Sequence, residues 1–335
     1  MRIVIDGMGG DHAPTEIVKG VTWAAKEIDD ELIIVGDEEK IKEELSKYSY
    51  NPEQIKIKHA SEVITGEDSP VKAIRRKTDS SMVVGISMVK NGEGDIFVSA
   101  GNTGALMAGG IFILGKIEGI DRPALASVYP ILGGIPSLLV DAGANADCKP
   151  KNLVEFATMG SLYMEKVIGR PNPRVGLVNL GTEEGKGNAL MKESFGMIKE
   201  ANVNFIGNVE ARELPAGVCD VIVCDGFTGN IVLKLTEGMA WRILKVIKKK
   251  FTESAVSKLA AAMLAGKIKE LREDFDYSEY GGAPVLGVKG AIVKMHGSSS
   301  ANSVKNTIIK AKPYFSENVI STIESEMALI HSKES

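Results

Sequence analysis

The stretch around which this sequence is organised is Val178-Asn179-Leu180-Gly181-Thr182-Glu183-Glu184-Gly185-Lys186-Gly187-Asn188. Here an apolar strand ends in a glycine-rich loop with one lysine, and a helical pattern begins near Asn188. Glycines 181, 185 and 187 allow positive-φ backbone that turns amide hydrogens towards a ligand, and the helix start adds partial positive charge. The pattern is typical of an anion-binding loop. Taken alone, it fits an ordinary strand-to-helix turn with a solvated lysine slightly better.

Short apolar runs alternate with amphipathic stretches along the whole chain. We expect strands near residues 2–6, 32–35, 55–58, 95–99, 124–129, 137–141, 174–179, 203–206 and 220–225. This rhythm predicts an α/β fold, a three-layer α/β/α sandwich with a largely parallel sheet. The connection 132–136 is too short for a crossover helix, so the strands beside it should be antiparallel and the sheet mixed. Residues 1–335 contain no repeat or long linker, which predicts a single domain.

The composition describes a globular protein and narrows its partners. Of 335 residues, 44% are hydrophobic and 5% aromatic, and the net charge is −4. The charge gives no general attraction to nucleic acid, and the few aromatic residues disfavour base stacking. A strand begins at Arg2 and no apolar run reaches membrane-spanning length, so we expect a cytoplasmic protein without a signal sequence. Three cysteines and four scattered histidines lack metal-site spacing, and we expect no metal.

Four other predicted strands also end in small and polar residues. These loops are Asp6–Asp11, Ser99–Gly104, Asp141–Asn145 and Asp225–Asn230. The carboxyl ends of parallel strands share one edge of a sheet, and open α/β folds bind ligands there. We therefore expect these loops and residues 181–187 to share an anion-binding edge, with about half of the loops serving only as tight turns.

Several catalytic motifs are absent. The segment 7–12 departs from the dinucleotide fingerprint because His12 stands where the third glycine belongs. The segment 181–187 is one residue short of a nucleotide-binding P-loop, and Gly187 replaces its hydroxyl residue. The nucleophile elbow Gly-x-Ser-x-Gly does not occur. What remains is an anion site without an obvious protein nucleophile.

Five motifs together resemble those of bacterial phosphate acyltransferases, the acyl-carrier-protein:phosphate transacylases of phospholipid synthesis. They are IDGMGGDHAP at 5–14, SAGNTGA at 99–105, GTEEGKGN at 181–188, DGFTGN at 225–230 and HGSS at 296–299. The resemblance implies transfer of a long-chain acyl group from acyl carrier protein to inorganic phosphate. The acyl phosphate would then serve the membrane glycerol-3-phosphate acyltransferase. It also implies an isocitrate/isopropylmalate dehydrogenase-like architecture, a homodimer and no cofactor.

The resemblance further implies which residues form the site. Lys186 and Asn230 match residues regarded as essential in the family, and we predict that they hold phosphate or the thioester oxyanion. Phosphate is itself nucleophilic, so the enzyme needs to orient it and neutralise its charge. A general base or a covalent intermediate is less important. The substrate-binding residues predicted beside them are Asp6, Gly7, Gly9, Gly10, His12, Gly101, Asn102, Thr103, Gly104, Gly185, Asp225, Gly226, Thr228, His296, Gly297 and Ser298.

Some of these residues also have a plainer interpretation. His12 and His296 are candidate proton donors to the departing thiolate, but hydrogen bonds to a loop backbone are the favoured interpretation. Asp6, Asp11 and Asp225 would repel phosphate, and we expect them to cap helices or fix loops.

The segment 228–272 is predicted to be a protruding helical hairpin. One apolar stripe runs through 231–247, a second through 256–271, and the two helices join near Thr252. The first helix should pack across the two-fold axis of a homodimer. For the second, the resemblance implies a tip that touches a membrane peripherally, or else acidic acyl carrier protein. The predicted tip contacts are Lys258, Leu259, Met263, Leu264 and Lys267.

Two alternatives stay open. A decarboxylating dehydrogenase of similar architecture would require a magnesium-binding carboxylate cluster and a nicotinamide site. A non-catalytic sensor of acyl phosphate or phosphate would bind its ligand without turnover.

Overall fold

A computed structural model describes residues 1–131, 133–254, 263, 266 and 281–334. The described residues form one eleven-stranded sheet in the order β3-β2-β1-β4-β11-β10-β5-β6-β9-β7-β8. The strands are β1 Arg2–Asp6, β2 Glu31–Gly36, β3 Ile55–His59, β4 Ile96–Ser99, β5 Ala124–Tyr129, β6 Ser137–Val140, β7 Arg174–Asn179, β8 Asn204–Glu210, β9 Val221–Val223, β10 Ala283–Leu286 and β11 Ala291–Lys294.

Helices cover both faces of the sheet, so the three-layer α/β/α prediction is confirmed. One face carries α1 Thr15–Ala24, α2 Glu38–Leu45, α6 Pro150–Lys166, α7 Ala189–Glu200, α9 Ala301–Lys310, α10 Lys312–Ser316 and α11 Val319–Glu334. The other carries α3 Pro70–Arg76, α4 Ser81–Lys90, α5 Thr103–Gly109 with a π-helical turn Gly110–Leu114, and α8 Gly226–Phe251. Each face of the sheet has its own hydrophobic core, and successive strand residues point into opposite cores. Ile3 and Ile5 pack on the first face and Val4 packs on the second.

The sheet consists of two parallel halves that run in opposite directions. Strands β3, β2, β1, β4 and β11 are parallel, and so are β6, β9, β7 and β8. Between them, β10 is antiparallel to β11 and β5, and β5 is antiparallel to β6, as the short 132–136 connection predicts. Three reversals leave the halves antiparallel to each other. The expectation of one shared carboxyl edge is therefore wrong, because each half has its own.

The two strands at the centre of the sheet, β10 and β11, were not predicted from the sequence. Strands β10 and β11 have four residues each, too few to show a clear period. Pro284 lies inside β10, and proline argues against a central strand because it lacks the N–H that pairs with a neighbour. The β10–β11 hairpin nevertheless occupies the middle of the sheet.

Helix α8 leaves the body of the protein in the way predicted for the first helix of the hairpin. It is capped at Thr252, the predicted junction. Its apolar stripe faces solvent, with Leu235 64% exposed, and includes the exposed residues Ile231, Met239, Ile243 and Val246. The second predicted helix lies outside the described residues, as do Lys258, Leu259, Leu264 and Lys267. Met263 is described and is 82% exposed. Among the described helices, none has the length and apolar content needed to cross a bilayer.

Candidate functional site

Three loops meet at the carboxyl edge of the first half of the sheet. Asp6 ends β1, and its carboxylate accepts hydrogen bonds from Ser99 Oγ at 2.6 Å and from the Met8 amide at 3.2 Å. Gly10 has φ +99°, and a Cβ there would lie 2.9 Å from the backbone oxygen of Gly297. The segments 6–11, 99–104 and 296–299 therefore lie directly against one another, and Asp6 fixes loops as expected.

The Asn102 side chain forms hydrogen bonds with other parts of the protein. Its Oδ1 accepts a hydrogen bond from the Ala105 amide at 3.0 Å and caps α5, while its Nδ2 donates to the Thr65 oxygen at 3.0 Å. Both ends of the side chain thus have protein partners. Its predicted substrate contact would compete with these bonds.

The second half of the sheet brings together the loops after β6, β7 and β9. Asp141, fully buried, organises the loop after β6 because its carboxylate accepts four backbone amide bonds and one side-chain bond. The donors are the amides of Leu125, Gly143, Ala144 and Asn145, and Asn145 Nδ2. Burial raises the pKa of Asp141, and the hydrogen bonds oppose that shift.

The start of α8 rests on this loop. Asp225 caps the helix by accepting hydrogen bonds from the amide and hydroxyl of Thr228, both at 2.8 Å, so its expected capping role is confirmed. Gly229 lies against the Asp141 backbone so closely that a Cβ would come within 1.9 Å of its oxygen. This approach sets Asn230 above Gly143, whose own Cβ would lie 3.4 Å from Asn230 Cβ.

The glycine-rich loop after β7 is only partly as expected. Asn188 caps α7 by accepting a hydrogen bond from the Met191 amide at 3.0 Å, so the helix starts where predicted. Of the three glycines, only Gly187 has positive φ, at +93°. The prediction of positive φ at Gly181 and Gly185 is wrong.

Lys186 projects from this loop into solvent. Its side chain is 54% exposed, and its Nζ lies 3.9 Å from a Glu183 carboxylate oxygen. The Lys186 amide donates to the Glu183 backbone oxygen at 3.1 Å, so it stays within the loop. An exposed ion pair of this kind contributes about 0–1 kcal/mol, and an anionic ligand can displace it.

A cavity of about 330 Å³ lies between the two sets of loops, under α8. Asn230, Leu233, Lys234 and Glu237 face it, since they recur at the three- and four-residue spacing of one helix face. It is lined by Thr103, Leu125, Ser127, Val128, Ala142, Gly143, Asn230, Leu233, Lys234, Glu237, Gly282, Ala283, Lys294, Met295, His296, Gly297, Ser299, Ser303 and Thr307. We call it the central cavity.

The structure does not bring all the predicted site residues into one cavity. Thr103, Asn230, His296 and Gly297 line the central cavity, whereas Lys186 is not among its lining residues. His12 and Ser298 line a separate open depression of about 560 Å³ near the N-termini of α1 and α9. The other predicted substrate-binding residues lie in strand ends, loops and helix starts: Gly7, Gly9, Gly10, Gly101, Asn102 and Gly185 are in loops, Asp6 ends β1, Gly104 is in α5, and Asp225, Gly226 and Thr228 form the cap and first turn of α8.

Lys294 is a cavity residue that was not predicted from the sequence. This lysine ends β11 and is 9% exposed. Burial lowers its pKa to about 8, although Asp6 and Asp11 oppose the shift. Partial burial and the charges of Lys294 and Lys234 in turn lower the pKa of His296. The signal was present: a lysine after the apolar run 291–293, two residues before the HGSS motif.

In the described part of the chain, no group of three His, Cys, Asp or Glu side chains is placed to hold a metal ion. The acids near the cavity instead hold loops, as Asp6, Asp141 and Asp225 do.

Comparison with known proteins agrees with this architecture. Residues 1–322 match the family model described as fatty acid synthesis protein. The phosphate acyltransferase of Alkaliphilus oremlandii is 54% identical over 323 residues, which are 96% of both chains. A phosphotransacetylase from Streptococcus pyogenes shares the fold with a TM-score of 0.61 at 17% identity, covering 94% of both chains. A 4-hydroxythreonine-4-phosphate dehydrogenase from Klebsiella pneumoniae has a TM-score of 0.54 at 11% identity, covering 93% of this chain and 98% of its own.

Proposed function

This chain belongs to the fatty acid synthesis protein family, whose curated relatives are phosphate acyltransferases, and from that premise we propose that it moves a long-chain acyl group from acyl carrier protein to inorganic phosphate. The chain is an acyltransferase of fatty acid and phospholipid synthesis. The donor, a thioester of acyl carrier protein, and the product, an acyl phosphate, are the proposed details.

The observation that carries the proposal is the central cavity. Its wall combines an amide and hydroxyl groups with apolar side chains, including Leu125, Val128 and Leu233. A site for acyl phosphate needs both kinds of surface, because the phosphate is anionic and the chain is apolar. Asn230 is held in this wall by the tight contact between α8 and the Asp141 loop.

The reaction needs no protein nucleophile. An oxygen of hydrogen phosphate attacks the thioester carbonyl carbon, a C–O bond forms, and the C–S bond breaks. The proton of hydrogen phosphate passes to the departing sulfur, so the products are acyl phosphate and the free thiol. Asn230 donates its amide hydrogens to the carbonyl oxygen or to phosphate, and Lys186 supplies positive charge from its loop.

The proposed assembly is a homodimer. The solvent-facing stripe on α8 supports it, because adjacent exposed apolar residues on one helix are typical of an interface. We also propose that the segment after Thr252 contacts membrane or carrier protein, and that the enzyme is cytoplasmic and associates peripherally with the membrane and with its glycerol-3-phosphate acyltransferase.

The experiment is to incubate the purified protein with acyl-carrier-protein thioester and radiolabelled phosphate. The expected products are free thiol and label in the organic extract, in equal amounts, with neither formed when phosphate is omitted. A sensor would bind without releasing thiol, and a dehydrogenase would produce nicotinamide absorbance with its own substrate. Either of those results would replace the acyltransfer proposal.

A further inference from the structure

Lys294 is a buried cation in the central cavity. It is the last residue of β11 and pairs with Ser99 of β4, in the interior of the sheet. Its side chain is 9% exposed and lines the cavity. Lysine is almost never buried to this degree unless its charge is compensated, because removing an ammonium group from water is costly.

The protein compensates this charge only in part. Lys294 Nζ donates to the backbone oxygens of Ala100, at 3.2 Å, and Met295. Among the described residues, no carboxylate oxygen lies within 4.0 Å of it. An ammonium group has three hydrogens, so one stays available for a ligand.

Asp6 and Asp11 are the acids whose charges act on Lys294. Glu237 also lines the cavity, and burial raises the pKa of its carboxyl group. Asp6 accepts from Ser99 Oγ and the Met8 amide, and it interacts with Lys294 only at longer range, as Asp11 does. Burial outweighs both carboxylates and lowers the pKa of Lys294 to about 8. An anion in the cavity would supply the missing counter-charge.

Other donors face the same space. The hydroxyls of Thr103 and Ser127 line the cavity, and neither has a hydrogen-bond partner among the described residues. The Asn230 amide lines it as well. Lys234 and Lys294 contribute two ammonium groups to the lining, beside two hydroxyls and an amide, and these are the kinds of group that bind a tetrahedral oxyanion.

We propose that the ammonium group of Lys294 binds the phosphate substrate in the central cavity, together with the hydroxyl and amide groups that line it. This inference rests on the proposed function for the identity of the anion. It adds Lys294 as a phosphate-binding residue. Lys294 belongs to none of the five motifs and is distinct from the predicted pair Lys186 and Asn230. Lys294 holds phosphate within the protein, while Lys186 acts from the exposed loop.

The test measures binding of inorganic phosphate by titration calorimetry, without an acyl donor. Lys294→Met keeps the length of the side chain, removes the charge and avoids a cavity, so the variant should fold. We expect its phosphate affinity to fall by about tenfold or more, and its KM for phosphate to rise similarly while the KM for the acyl donor stays unchanged. The matched control is Lys289→Met, an exposed lysine in the turn of the same hairpin, which should bind phosphate normally.

The outcomes separate this inference from the proposed function. Loss of phosphate binding in Lys294→Met supports phosphate binding by Lys294, even if the wild-type protein transfers no acyl group. The absence of acyl transfer would contradict only the proposed function. Normal phosphate affinity and KM in folded Lys294→Met would overturn the inference about Lys294 while leaving acyl transfer in place. Failure of the wild-type protein to bind phosphate would overturn it too.

A second measurement uses the unaltered protein and needs no variant to fold. Acetic anhydride acetylates uncharged lysine amines, and mass spectrometry of the digested protein gives the rate at each lysine. Phosphate should slow acetylation of Lys294 severalfold and leave that of Lys289 unchanged. Equal rates at Lys294 with and without phosphate would contradict the proposal.

Discussion

Gly229 packs against the backbone of Asp141 with no room for a side chain: a Cβ on Gly229 would lie 1.9 Å from the Asp141 oxygen. This contact joins the first turn of α8 to the loop after β6. It determines where Asn230 enters the central cavity, although Gly229 itself has no chemical role.

Gly229→Ala should therefore displace the start of α8. We expect a loss of about 1–3 kcal/mol in the free energy of unfolding, typical of overpacking, and a fall in acyl transfer larger than the fall in stability explains. Gly196→Ala in α7 is the control, because a Cβ there meets no atom within 4 Å. It should leave activity intact and stabilise the helix by up to about 1 kcal/mol. Equal behaviour of the two variants in urea unfolding would disprove the steric argument.

Lys186→Ala and Asn230→Ala test the predicted catalytic pair. Removing a donor to a developing oxyanion costs about 10²–10³ in rate, so we expect losses of that order in kcat/KM. Stability should barely change, because the Lys186 ion pair is exposed and the Asn230 side chain has no hydrogen-bond partner among the described residues. Lys199→Ala, which removes an exposed cation near Glu184, serves as the control. Near-normal turnover in either catalytic variant would remove that residue from its role.

The buried charge of Lys294 predicts a pH dependence of stability. The pKa of Lys294 is lowered from 10.5 to about 8 in the folded protein, chiefly by burial. Between these values the unfolded chain binds more protons than the folded chain, so the free energy of unfolding should rise with pH. We expect wild type to gain about 2 kcal/mol between about pH 7 and about pH 9.5, relative to Lys294→Met. Urea unfolding in phosphate-free buffer measures this, and parallel curves for the two proteins would refute it.

A charge within the exposed stripe of α8 should prevent dimer formation. In Leu235→Glu, a carboxylate would enter an apolar interface without a partner, and sedimentation velocity should show monomers at micromolar concentration. Lys245→Glu alters the charge of the same helix outside the stripe and should remain dimeric. A wild-type protein that sediments as a monomer would contradict the proposed assembly.

The proposed tip is tested by replacing Leu259 and Met263 together with glutamate. Met263 is 82% exposed, so a glutamate at that position should not unfold the protein. Binding to anionic liposomes should weaken because apolar surface is lost and negative charge is added, while dimerisation and activity with soluble donor stay normal. Unfolding of the double variant would show that the segment belongs to the core.

Local pattern was sufficient for much of this fold. Alternating apolar runs located β1 to β7 to within about two residues, because burial on a sheet imposes its own periodicity. The helix start near Asn188 and the capping role of Asp225 could be predicted because Asn and Asp are common N-cap residues. In the structure, each side chain accepts a hydrogen bond from the amide three residues ahead. The short 132–136 connection sufficed to predict the antiparallel β5–β6 pair.

The position of the site depended on contacts between distant segments. Strands β10 and β11 are too short to show a period and reverse the sheet at its centre, which separates the predicted loops onto two edges. Lys294 became a buried cation only when β11 paired with β4, since burial and electrostatics depend on neighbours far along the chain. The sequence alone thus determined nine of the eleven strands of the described sheet, the family motifs and the identity of the loops. The tertiary structure decided which of those loops share a cavity, because strand direction is set by pairing partners and not by local periodicity.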